Sequence, residues 1–170
     1  AMRRGLTRFV GRQSEMDQLQ RALEHTKAGH GQIVGVMGEP GLGKSRLFYE
    51  LVGAYDHTLL RMHGCLVLEA FSVSYGKASP YLPLIELLKS YFQIQPQDEE
   101  RTRKEKVAGK VLILDRSLED ILPYLFALLS IEDPDSSLPQ MDAQIRRRRT
   151  LEALKKLFLR ESLNQPLMLI

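Results

Sequence analysis

Gly38-Glu39-Pro40-Gly41-Leu42-Gly43-Lys44-Ser45 decides how the rest of the chain is read. The stretch has the spacing G-x-x-x-x-G-K-[ST], and chemistry accounts for each residue type. Glycine reaches positive φ and lets a ligand come close to the backbone, so successive N–H groups can converge on phosphate oxygens. A helix opening at Lys44 adds the positive end of its dipole. In that setting Lys44 would reach the β- and γ-phosphates and the Ser45 hydroxyl would ligate Mg²⁺. Arg46 would face the surroundings of the phosphates or solvent. Gly38, Glu39, Pro40, Gly41, Leu42, Gly43, Lys44, Ser45 and Arg46 are thus the candidate phosphate-binding residues.

The flanks suit this motif. Ile33-Val34-Gly35-Val36-Met37 leads in as a short, continuously apolar run, which reads as a parallel strand covered on both faces. Leu47, Phe48, Leu51 and Val52 then form one helical face. Upstream, Ser14 reads as the N-cap of a helix to about Ala28, with Glu15 and Asp17 in its first turn and Gly29 and Gly31 ending it. A second strand is expected within Thr58 to Leu68, then a Ser- and Gly-rich loop from Ser72 to Pro80. Leu84 to Phe92 has helical spacing, with Pro83 in the first turn. The charged stretch from Gln95 to Lys110 reads as an exposed helix or a mobile linker. Leu118 to Leu129 is apolar almost all round, so a buried helix is expected, starting or kinked near Pro123. Asp142 would cap a long helix to about Leu163, and Pro166-Leu167-Met168-Leu169-Ile170 reads as a buried strand. Helices alternating with strands give an α/β class with a helical insertion at about 95–140 before the last strand.

Composition narrows the rest. The chain has 170 residues, room for one domain with a real core. Hydrophobic residues make up 44% and charged residues 26%, which excludes a wholly disordered or fibrous chain. A single cysteine, Cys65, allows no internal disulfide framework and suits a reducing, cytoplasmic setting. No apolar run is long enough to span a bilayer, and nothing resembles a secretory signal. Ala1 ahead of Met2 reads as the scar of a removed tag, and residues 1–8 as a tag remnant or N-terminal arm. The net charge of +3 is too small to demand nucleic acid by itself.

With the phosphate loop, the segment Phe9-Val10-Gly11-Arg12-Gln13-Ser14-Glu15 resembles the N-terminal box of AAA+ and signal-transduction (STAND) ATPases. The resemblance implies an AAA-like P-loop NTPase over residues 9–170, with a three-layer core around a parallel sheet, binding ATP or ADP with Mg²⁺. It also implies that Val10, Gly11 and Arg12 border the adenine. Ser74-Tyr75-Gly76, Ser79 to Leu84, Leu122-Pro123-Tyr124-Leu125 and Arg146 to Leu154 resemble one subgroup in particular. These are large bacterial regulators that join such a module to tetratricopeptide-type repeats, often with a nucleotide cyclase or DNA-binding domain. Their implied partners are nucleotide and the other domains of the same protein.

Pro166 to Ile170 resembles the start of a Walker B strand, whose acidic residues would come directly after it. The resemblance therefore implies a piece of a longer ATPase that turns over poorly alone, with no catalytic residue assigned. In this superfamily the strand after Walker B lies between the phosphate-loop strand and the Walker B strand. The sheet is thus expected to lack its middle, leaving open edges for self-association. Asp115, after Val111-Leu112-Ile113-Leu114, mimics a Walker B acid, but Arg116-Ser117 supplies no second acid and Ser117 to Asp120 reads as a helix start.

Arg146-Arg147-Arg148-Arg149 reads first as the solvated face of an amphipathic helix, and nucleic acid is not an expected partner. His25, His30, His57 and His63 lack metal-site spacing. Two alternatives to a signalling switch stay open. One is a DNA-associated AAA+ ATPase of origin-recognition or loader type. The other is an interaction scaffold with a degenerate nucleotide site.

Overall fold

A computed structural model describes residues 10–52, 61–62, 65–70, 81–134 and 136–170. The expected loop at Ser72 to Pro80, Phe9, His57 and His63 lie outside the described residues. The chain divides into two compact units, 1–64 and 65–170.

In the first unit, helix α1 spans Gln13–Lys27 and helix α2 spans Lys44–Val52. They pack on each other, with Met16, Leu19 and Leu23 of α1 and Leu47, Leu51 and Val52 of α2 buried. Ser14 is not the cap of α1. Gly11 turns the chain at φ +81, and the Arg12 carbonyl accepts the first helical bond from the Met16 N–H at 3.0 Å, so the cap position falls on Arg12. The helix ends as expected at Gly29: its N–H reaches the Thr26 carbonyl and the His30 N–H reaches the His25 carbonyl, each at 3.0 Å. A two-residue strand, β1, occupies Arg61–Met62.

The expected strand at Ile33–Met37 does not form. The segment carries no strand pairing, and Ile33 and Met37 are 103% and 95% exposed. An apolar run becomes a strand only when a neighbour satisfies its N–H and C=O groups, and none is placed beside it among the described residues.

In the second unit, strand β2 (Cys65–Leu68) pairs in parallel with strand β3 (Leu167–Leu169), Leu66 facing Leu167 and Leu68 facing Leu169. Cys65, Val67 and Leu68 are buried, the continuous burial that a parallel strand favours. β3 lies at the edge of the sheet among the described residues, and Leu169 is half exposed. This parallel pair and the helices around it form a small α/β core, less than the expected three-layer arrangement.

Those helices are α3 (Leu82–Phe92), α4 (Glu100–Leu114), α5 (Leu122–Leu128) and α6 (Ala143–Ser162). Their core joins Leu88, Val107, Val111, Leu125, Leu154 and Leu157. The charged stretch after Gln95 is largely helix α4, not a linker. Its outer face carries Arg101–Glu105 at 2.8 Å and Lys106–Asp98 at 2.6 Å, while Val107 and Val111 are fully buried inside. Pro123 sits in the first turn of α5, entered through a 3₁₀ helix at Arg116–Ile121. Asp142 caps α6 as read from the sequence, accepting from the N–H groups of Gln144 and Ile145 at 2.9 and 3.1 Å.

Candidate nucleotide-binding site

The site lies wholly in the first unit. Gly41 and Gly43 adopt φ +84 and +80, a region closed to most side chains, and the Leu42 N–H closes the turn on the Glu39 carbonyl at 3.4 Å. Helix α2 begins immediately after, so its first-turn N–H groups, which have no intrahelical acceptors, open beside the loop. No acidic residue stands in that turn to neutralise the helix dipole.

Lys44 is folded onto its own loop. Its Nζ donates to the carbonyls of Gly38 and Glu39 at 2.8 and 2.9 Å. An ammonium has three donors, so two anchor it and one is left for a phosphate oxygen. Ser45 is exposed at the start of α2. Glu39, Pro40 and Leu42 are also exposed, so the loop presents its backbone rather than a packed surface.

Arg46 lies part-exposed on α2. It forms an ion pair with Glu50 one turn along α2 and lies 5.7 Å from the Tyr49 ring centroid. The i,i+4 spacing makes that partner the nearest acceptor for its guanidinium.

Of the N-terminal box, the structure brings Arg12 to the loop. Its Nη2 donates to the Leu42 carbonyl at 2.7 Å and its Nη1 to Glu15 at 3.3 Å. No sequence spacing announces this contact between residues 30 positions apart. Val10 is 71% exposed.

Asp115 and the arginine run belong to the second unit. Val111 to Leu114 is the last turn of α4, so Asp115 ends a helix and not a Walker B strand. Its carboxylate accepts from Arg160 Nε at 2.8 Å and from the Ser117 N–H at 2.9 Å. The Arg160 bond, with the Ser117 bond behind it, holds the Asp115 carboxyl down to about 2. Arg147, Arg148 and Arg149 are exposed on α6, and Arg146 donates to the Leu138 carbonyl at 3.3 Å.

The geometry fits the phosphate chain of a nucleotide: a loop open at its backbone, an anchored ammonium and a free hydroxyl at a helix start. Among the described residues no cluster of three or more His, Cys, Asp or Glu is placed to hold a metal. Ser45 is the hydroxyl at hand for a Mg²⁺ carried by a nucleotide's phosphates.

Loop, lysine and helix together define a P-loop nucleotide-binding module. The chain belongs to the AAA ATPase domain family, which it matches over residues 8–170. This is a P-loop ATPase family whose members bind ATP or ADP with Mg²⁺. Neither the curated proteins nor the solved structures yield a match. Among the described residues no helix is long and apolar enough to cross a membrane.

Proposed function

We propose that this chain is the nucleotide-binding part of a STAND-type signal-transduction ATPase, acting as a nucleotide-dependent switch in a multidomain cytoplasmic regulator. The observation that carries the reading is Lys44, held by two loop carbonyls with a donor to spare at the mouth of a helix start.

Lys44 and the backbone from Gly38 to Gly43 hold the phosphates, and Ser45 ligates Mg²⁺. Val10 and Gly11 border the base. Slow hydrolysis resets the switch. Partners are the other domains of the same protein, including a cyclase or repeat domain. The edge strand β3 favours contacts made through a strand edge.

A switch needs two states that a ligand tells apart. Hydrogen exchange of the chain with saturating Mg-ATP and Mg-ADP tests this directly. Different protection outside the loop with the two nucleotides supports the switch. Identical protection would leave a binding module without one.

A further inference from the structure

The box before α1 and the phosphate loop meet through one side chain. Arg12 stands at the cap of α1: Gly11 turns the chain into it at φ +81, and its own carbonyl accepts the first bond of α1. Its guanidinium is held by Glu15 at 3.3 Å and donates to the Leu42 carbonyl at 2.7 Å.

The Leu42 carbonyl and the Gly43 N–H belong to one trans peptide unit, and such a unit points the two groups in opposite directions. A cation that holds the carbonyl on one side therefore directs the N–H to the other. The peptide needs such a hold. Gly43 stands at φ +80, and glycine populates both signs of φ at similar cost, so this unit is free to flip when nothing grips it.

We infer that Arg12 is a positioning residue of the phosphate loop: its bond to the Leu42 carbonyl keeps the Gly43 N–H turned toward bound phosphate. This rests on the nucleotide-binding reading above and deepens it. It assigns Arg12 a different task from the one the family resemblance implies, which is to border the base.

The two tasks separate by ligand. A clamp on the loop serves every ligand with a phosphate chain, whereas a base contact serves only ligands with a base. Calorimetric titration of the chain with Mg-ADP and with Mg-tripolyphosphate, for wild type, Arg12→Ala and Arg12→Lys, tests this. Arg12→Ala is expected to weaken both ligands by a similar factor of about tenfold, the loss of one hydrogen bond from a charged donor. Arg12→Lys, which keeps a donor but not the fork, should fall between, again equally for both ligands. The ratio of the two factors is the readout, and a general loss of stability does not produce it without also lowering the unliganded melting temperature. Should Arg12→Ala not fold, the ratio for Arg12→Lys decides.

Weakening confined to Mg-ADP would overturn the inference and return Arg12 to the base. Unchanged binding of both ligands would overturn it as well. So would a wild-type chain that binds Mg-ADP but not tripolyphosphate, because the phosphate chain would not then be what the loop grips. A wild-type chain that binds neither would instead remove the nucleotide-binding reading, and the inference with it.

Discussion

Tyr91→Phe removes a single oxygen from the core of the second unit and should destabilise it well beyond what its size suggests. Tyr91 is 2% exposed on α3 and Glu161 is 6% exposed on α6. The phenol donates to Glu161 Oε2 at 2.6 Å, and Gln165 donates to Glu161 Oε1 at 2.6 Å. Each carboxylate oxygen therefore has one protein donor. Deleting the phenol leaves a buried carboxylate oxygen without its partner, which costs about 1.5–3 kcal/mol. For a chain of this length that lowers the melting temperature by roughly 4–10 °C. Glu161→Gln should be milder, since an amide oxygen still accepts from Tyr91 and no charge has to be buried.

A second readout comes from burial of the phenol, which together with the Glu161 bond pushes its ionisation well above the ordinary tyrosine value. The folded state binds that proton more tightly than the unfolded one. The Tyr91 contribution is therefore complete below about pH 10 and declines as the pH rises further. Wild type should lose stability more steeply than Tyr91→Phe above that point. Thermal melts from pH 7 to 11 measure both effects. A Tyr91→Phe chain melting within a degree of wild type at pH 7 would refute the reasoning, because the buried carboxylate would not then depend on the phenol.

The second unit carries two more tests. Asp115 is held low by Arg160, so its contribution is present above pH 4 and is lost as the pH falls from about 4 through 2. Melts of wild type and Asp115→Asn over pH 5 to 2 should converge toward the acid end, and a constant gap would contradict that. Replacing Arg147, Arg148 and Arg149 together by serine should change stability by no more than about 1 kcal/mol, since all are exposed and the Arg148–Glu152 pair spans 3.9 Å. The wild-type chain should show no strongly salt-dependent DNA binding in the same experiment; such binding, lost in the variant, would favour a DNA-associated ATPase.

The sequence reveals those features whose causes are local. The loop glycines, the α2 face and the Asp142 cap all depend on spacing within a few residues. Asp115 is separable from a Walker B acid for the same reason, since Arg116–Ile121 directly after it forms a 3₁₀ helix. Features set by distant partners are not legible. Ile33–Met37 has the composition of a strand, but strand structure depends on a neighbour that no local pattern reports. Arg12 on Leu42 and Arg160 on Asp115 join residues 30 and 45 positions apart. Glu161 is a charged residue on a largely polar helix, and only the packing of α6 against Tyr91 makes it a core residue.

The phosphate loop is tested most directly by thermal-shift titration with Mg-ADP and Mg-ATP, with Lys44→Ala alongside. A ligand at a hundredfold excess over Kd adds about 2.7 kcal/mol. For a chain of this length the melting temperature should then rise by roughly 5–10 °C, and the rise should vanish in Lys44→Ala. A cooperative melt that neither nucleotide moves, or a rise that survives Lys44→Ala, would contradict a working phosphate loop.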